Sequence, residues 1–279
     1  MAFETSHFKA KIFAKISEVQ SQASAEFKAN RTVVGTSFVA IDDFLDPKSA
    51  EKIQVAFDPS NSGWREMNSF RERKLTTKQY DRFSSILGEI TFAFQDPEVV
   101  KAFEAITGIK NQVGDPGLYA GGLSMMRTGD FLDPHIDNSH DQDRKNYRRL
   151  NLLYYVTPDW KLEDGGHLEL WNEDVTKSVT IESKFNRLVL METHHLSWHS
   201  VSPVRKPNGL RKCVSNYYFS KESPLGYDYF HITAFSARPE QPVKRLVCKV
   251  DNFLRTSIRK LKPGGLGKRD LYQNDQTNP

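Results

Sequence analysis

RRLNLLYYV, at residues 148–156, is one of a series of short apolar or alternating runs set between turn residues. With it come LYAGGLSMM (118–126), GGHLELWN (165–172), SVTIES (178–183), NRLVLME (186–192), WHSVSPV (198–204) and KCVSNYYF (212–219). Strands so closely spaced, with Gly, Pro, Asn and Asp between them, predict an all-β sandwich, jelly roll or barrel.

Before these runs the pattern differs. Phe8, Ile12, Phe13, Ile16 and Val19 recur at the spacing of an amphipathic helix. Residues 33–45 (VVGTSFVAIDDFL) are β-branched and aromatic, and Asp46 and Pro47 then stand where an N-cap and a first helical residue belong. This predicts a strand followed by a helix through Ile53 and Phe57. Residues 58–75 are polar and read as a loop. Helical pieces at 80–94 and 97–109 flank the breaker Asp96 and Pro97. The fold class expected is therefore mainly β with flanking helices.

After residue 222 a mixed segment leads to VKRLVCKVDNFLRTSIRKLKP (243–263). There Val243, Leu246, Val247, Val250, Phe253, Leu254, Ile258 and Leu261 form a helical stripe, interleaved with Lys244, Arg245, Lys249, Arg255, Arg259 and Lys260. A helix whose apolar stripe packs on the core and whose basic face is solvated is expected. An anionic membrane or partner is the alternative, and the helix is a candidate interface between copies. Residues from Pro263 onward read as a loose tail. The division expected is an N-terminal helical extension (1–35), a catalytic domain (36–222) and a C-terminal extension with the basic helix (223–279).

The 279 residues carry a net charge of +4 with 27% charged residues, too modest a bias to call for nucleic acid. Cys213 and Cys248 are the chain's two cysteines; they form no disulfide framework and lack zinc-ribbon spacing. The start has no unbroken apolar segment, and no stretch reaches the roughly 18 apolar residues of a membrane span. A soluble cytoplasmic protein is expected.

Chemistry first appears at DPHIDN (133–138). In an extended chain, residues i and i+2 face one way, so His135 and Asp137 can aim an imidazole and a carboxylate at one point. A third imidazole would complete a facial triad with open metal positions, suited to iron(II). Alone, His-x-Asp fits a surface turn equally well in a chain with eight histidines. His199 is preferred as the distal ligand because the 62 residues separating it from Asp137 (199 − 137) let the chain cross a sandwich and return. His194 and His195 are rivals. A dicarboxylate that chelates metal at one end needs a cation at the other, best a guanidinium. Arg211 lies on the next strand, with Ser215 and Tyr217 on its face; Tyr155 shares a face with Asn151 and Leu153.

In order, GDFLDPHIDN, RRLNLLYYVTPDW, DGGHLELW, NRLVLM, HSVSPV and RKCVSNYYF, preceded by FVAIDDFLDP, resemble the prolyl 4-hydroxylase-like 2-oxoglutarate/iron(II) oxygenases over roughly residues 36–222. The resemblance implies a double-stranded β-helix (jelly-roll) core. It implies iron(II) on His135, Asp137 and His199, and 2-oxoglutarate on Arg211 with Tyr155 as a second contact and Asn151, Ser215 and Tyr217 around it. The co-substrates implied are 2-oxoglutarate and dioxygen, with ascorbate a further candidate cofactor, and the products succinate, carbon dioxide and a hydroxylated substrate. Two positions depart from many relatives: Met126 replaces a tyrosine and Tyr217 a tryptophan. Halogenating relatives lack the carboxylate that Asp137 retains, so hydroxylation is implied.

The substrate expected is a prolyl residue, an amino acid or a small metabolite. Arg71, Arg73, Arg127 and Arg148 could meet an anionic or peptide substrate, although solvated surface roles are the expectation. A metal-dependent hydrolase using the same triad, and a catalytically silent β-sandwich binding module, are the competing functions.

Overall fold

Helices cover one side of an antiparallel sheet and a cavity lies on its other side, an arrangement that follows from the period of two along the central strands. The structure, a computed structural model, describes residues 3–261 and Tyr272; of the tail expected from Pro263 onward, all but Tyr272 lies outside the described residues. The chain enters through α1 (Ser6–Ala29), which buries Phe8, Ile12, Ile16, Ala23 and Phe27, and the short α2 (Arg31–Val34). Strand β1 (Phe38–Ile41) leads to α3 (Pro47–Ala56), where the Asp46 side chain accepts the Ser49 N–H at 3.1 Å.

Residues 58–75 depart from the loop expected of them: they and their neighbours form the hairpin β2 (Arg65–Asn68) and β3 (Glu72–Thr77). Its alternation is polar because Arg65, Lys74 and Thr76 face the cavity, while Leu75 and Thr77 are buried. Composition suggested a loop for that reason. Helices α4 (Ser85–Phe94) and α5 (Pro97–Thr107) follow.

The remaining strands are β4 (Gln112–Val113), β5 (Gly122–Arg127), β6 (Phe131–Ile136), β7 (Tyr147–Tyr155), β8 (Leu168–Trp171), β9 (Ser178–Ile181), β10 (Arg187–Glu192), β11 (His199–Val201), β12 (Leu210–Ser220) and β13 (Ala234–Phe235). They pair in the order β1-β10-β7-β12-β5-β3-β6-β11-β8-β9, with β13 on β6, β2 on β3 and β4 on β12. All pairings are antiparallel and the sheet nearly closes on itself, the jelly roll of a double-stranded β-helix.

Along β7, Leu150, Leu152 and Tyr154 point outward and join Val99, Phe94 and Ile12 in the main core beneath α1, α4 and α5. Asn151, Leu153 and Tyr155 point inward. On β12, Val214 and Tyr218 face the helices, while Arg211, Cys213, Ser215 and Tyr217 line the cavity. Both faces are covered, which explains why these strands read as near-continuous apolar runs.

Helix α6 (Pro242–Leu261) docks in the opposite sense to the expectation. Its polar face is turned inward: Lys244 pairs with Asp133 at 2.6 Å, Asp251 with Arg71 at 2.5 Å, and Asn252 exchanges two hydrogen bonds with the Phe235 backbone. Its apolar stripe is exposed. Amphipathicity reports two different faces but not which of them a core will bind, and here polar partners on β6 and β13 decide it. Among the described residues no helix is long and apolar enough to cross a membrane.

Asn186, at φ +57°, latches the entry segment to the sheet. Its side chain accepts from Leu45 N–H (3.0 Å) and from the Tyr154 hydroxyl (2.7 Å), and donates to Leu45 C=O (2.6 Å). Asn186→Ala strands these buried groups and should lower unfolding stability by roughly 2–4 kcal/mol in urea titrations. A loss below about 0.5 kcal/mol would show that the latch carries no weight.

Candidate metal centre and co-substrate pocket

Strand pairing brings the distant histidines together. His199 on β11 is the direct cross-strand neighbour of His135 on β6, with ring centroids 4.1 Å apart. Asp137 follows β6 and approaches both: its carboxylate oxygens lie 3.7 Å from His135 Nε2 and 3.6 Å from His199 Nε2. The three potential ligand atoms lie within 4.8 Å of one another, a cluster that could hold a metal ion.

Local backbone sets the ring orientations. His135 Nδ1 donates to the Asp133 carbonyl at 2.9 Å and His199 Nδ1 to the Ser197 carbonyl at 3.0 Å. With each Nδ1 turned to a backbone carbonyl, both Nε2 atoms face Asp137, the nitrogen left for a metal. Burial, reinforced by the charge of His199, pushes His135 down to about 3, so this ring stays neutral at ordinary pH. Burial would raise Asp137, but Arg148 and the two histidines overcome it and hold the carboxyl well below its usual range. An anion between two imidazoles, with one oxygen lacking a hydrogen-bond partner, suits a divalent cation with open coordination positions.

The same cavity, about 640 Å³, has Arg211 in its wall. Arg211 is 3% exposed, stacks over the Tyr155 ring at 4.7 Å, donates to Ser183 Oγ at 3.3 Å and touches Met126 Sδ at 3.6 Å. It has no carboxylate partner among the described residues. A buried guanidinium without a counter-ion is costly, so its placement points to an anion that enters the pocket. The Tyr155 hydroxyl is buried without a hydrogen-bond partner, and burial pushes the phenol well above its ordinary range, so it remains a donor. Gly166, at φ +68°, closes this end; a Cβ there would crowd Val204 and approach Arg211 Cδ.

The other sequence-nominated residues divide. Ser215 lines the cavity on the face of Arg211. Asn151 and Tyr217 pair with each other at 3.2 Å, and Tyr217 neighbours Asp137, so these two stand at the metal-ligand end rather than beside Arg211. His194 and His195 lie in the β10–β11 loop, outside the ligand cluster; His194 accepts from Leu196 N–H at 3.2 Å.

Two residues beside the cluster were not assigned there by the sequence. Arg148, expected at the surface, is 2% exposed: it reaches Asp137 at 3.3 Å, donates to Asn138 at 2.7 Å and lies over Tyr217 at 4.2 Å. The β7–β12 pairing is irregular between Tyr218 and Phe219; past that point simple alternation no longer says which way Arg148 points. Phe235, from the C-terminal segment, pairs with His135 across β13–β6 and stacks on its ring at 5.3 Å. Only its aromatic character signals it in the sequence.

Similarity to known proteins spans the strands that carry His135, His199 and Arg211. Residues 121–220 match the 2OG-Fe(II) oxygenase superfamily. Prolyl 3-hydroxylase OGFOD1 of Xenopus laevis is 30% identical over 100 residues, 32% of this chain and 19% of the frog protein. The chain spans about a fifth of the length of the curated relatives it matches. A Trichoplax adhaerens prolyl hydroxylase, solved with a peptide fragment of the hypoxia inducible factor oxygen degradation domain, superposes with a TM-score of 0.52 at 18% identity, covering 76% of this chain and 96% of that one. A Pseudomonas putida prolyl-4-hydroxylase gives 0.52 at 14% identity, covering 71% and 98%. At these identities the superpositions establish the fold.

Retention of a divalent ion should depend on the cluster. His135→Ala and His199→Ala should each weaken manganese(II) binding in equilibrium dialysis by about 100-fold or more, and His195→Ala should leave it within about threefold. A large loss from His195→Ala with none from His199→Ala would move the distal ligand to the loop.

Proposed function

We propose that this chain is a member of the 2OG-Fe(II) oxygenase superfamily with a prolyl 4-hydroxylase-like core, and that it is an iron(II)- and 2-oxoglutarate-dependent dioxygenase. Its products are a hydroxylated substrate, succinate and carbon dioxide. The observation that carries the proposal is the buried, unpaired Arg211 in the cavity onto which His135, Asp137 and His199 open. A hydrolytic metal site needs water and three ligands; it has no use for a buried guanidinium aimed at a second anion.

Each residue then has a task. His135, Asp137 and His199 would hold the metal, which would supply the site where 2-oxoglutarate and dioxygen bind. Arg211 binds the far carboxylate of 2-oxoglutarate, with the Tyr155 hydroxyl and Ser215 beside it. Arg148 keeps Asp137 ionised and fixed in orientation, while Asn151 and Tyr217 pack around that pair. Leu132, Leu153, Cys213 and Val201 form the apolar part of an otherwise polar wall, and Phe235 covers the His135 ring. Iron(II) with bound 2-oxoglutarate supplies the oxidising chemistry; the chain supplies binding, orientation and exclusion of water.

The substrate class favoured is a prolyl residue within a peptide, supported by the prolyl hydroxylase relatives and by the groove beside the mouth. That groove, about 350 Å³ and lined by Tyr119, Asn138, Phe230, Ile232 and Ile258, shares Tyr119, Asn138, Thr233 and Arg255 with the main cavity. A free amino acid or small metabolite would leave it unused. We take residues 36–222 as the catalytic unit, flanked by the N- and C-terminal extensions. A cytoplasmic location fits the two buried free thiols.

Protein loaded anaerobically with iron(II), then given 2-oxoglutarate, air and proline-containing peptides, should release succinate. Arg211→Ala should raise the 2-oxoglutarate concentration required by roughly 100-fold, as expected for truncating one side of a buried charge pair, with metal retention unchanged. Absence of both iron-dependent succinate and 2-oxoglutarate binding would instead favour a hydrolase or a silent binding module.

A further inference from the structure

The exposed side of α6 is unlike the rest of the surface. Val243, Leu246, Val247, Val250, Phe253, Leu254 and Ile258 are each 40–76% exposed and recur at spacings of three and four, forming one stripe along the helix. It runs for roughly 22 Å at 1.5 Å per residue. Its area, on the order of 700 Å², exceeds the roughly 300–600 Å² of the largest apolar patch on a typical monomer.

The orientation is held firmly. Besides the Lys244–Asp133 and Arg71–Asp251 pairs, Arg255 donates to the Thr233 carbonyl at 2.8 Å, Arg245 to the Ala237 carbonyl at 3.0 Å, and Cys248 Sγ to the Ser236 carbonyl at 3.4 Å. Turning the helix over to bury its stripe would break all of these and leave Asp133, itself buried, without its cation. The apolar face is therefore a stable outward feature of the folded chain.

We infer that this face is covered by the same face of a second copy of this chain, in a two-fold symmetric dimer built on α6. Three observations choose that occupant. The stripe is long and regular enough for helix-on-helix packing, and two copies would bury on the order of 1,400 Å², the size of a standard stable interface. The stripe is also uncharged, and among the described helix side chains Lys249 is the one cation classed as exposed, so like faces meet without strong repulsion. Third, of the described cations of this helix, Lys244, Arg245 and Arg255 are half-buried against protein acceptors, which leaves Lys249 as the exposed one among them to meet an anionic membrane. The dimer has a consequence for the mouth. Ile258 lies on both the stripe and the wall of the side groove, and Arg255 lines groove and cavity alike, so the second copy sits next to the entrance.

Across a two-fold axis the middle of the stripe faces its own copy, which makes Val250 the diagnostic position. Sedimentation velocity on the full chain between about 5 and 100 µM should give twice the mass of one chain. Val250→Glu and Val250→Lys should each give the single-chain mass, with far-UV circular dichroism and manganese(II) binding unchanged. An equimolar mixture of the two should recover the double mass, because opposite charges then meet at the axis. Wild-type protein at the single-chain mass throughout overturns the inference, whether it stays in solution or floats with phosphatidylcholine–phosphatidylserine vesicles. So does a double mass that survives both substitutions, or a mixture that fails to reassociate.

Discussion

The register between β6 and β11 is the constraint on which the site depends. Because His199 pairs directly with His135, a separation of 64 residues along the chain (199 − 135) collapses to adjacent imidazoles, and Asp137 completes the cluster from the strand's exit. A slip of one residue in either strand would turn a ligand to the opposite face. On the other wall, the pairing of Cys213 with Tyr155 brings Arg211 and the Tyr155 phenol to one end of the cavity. Helices α1, α4 and α5 cover the outer face of β7, β10 and β12, so that the inner residues have a fixed direction.

Electrostatics then gives the cavity two ends. At one, a carboxylate is held ionised between two imidazoles and Arg148, a setting ready for a cation. At the other, a guanidinium lies buried without a counter-ion among the described residues. Neither end is satisfied by the chain alone, in contrast to structural pairs such as Asp133 with Lys244 or Glu169 with Arg238. A metal ion chelated by a dicarboxylate satisfies both ends at once, and this complementarity is stronger support for the proposed chemistry than either end separately.

Much of this was legible in the sequence because period-two patterning and ligand spacing are local. The alternation of RRLNLLYYV placed Asn151 and Tyr155 on one face, and His135 with Asp137 needed only an extended backbone. What escaped was set by tertiary context. The β2–β3 hairpin read as a loop because its alternating residues face a cavity. Arg148 read as a surface residue because an irregularity in strand pairing intervenes before it. Helix α6 was turned over because a sequence shows two faces, while the location of Asp133, Arg71 and the Phe235 backbone decides which of them docks.

The central claim is that one cavity holds a divalent metal at His135, Asp137 and His199 and the far carboxylate of 2-oxoglutarate at Arg211. A crystal structure grown anaerobically with manganese(II) and 2-oxoglutarate tests it most directly, using anomalous scattering to locate the ion. The account predicts the ion on the two Nε2 atoms and the Asp137 carboxylate, chelated by the 2-oxo acid end, with the distal carboxylate on Arg211 and the Tyr155 hydroxyl. An ion bound elsewhere, or 2-oxoglutarate lying away from Arg211, would contradict it.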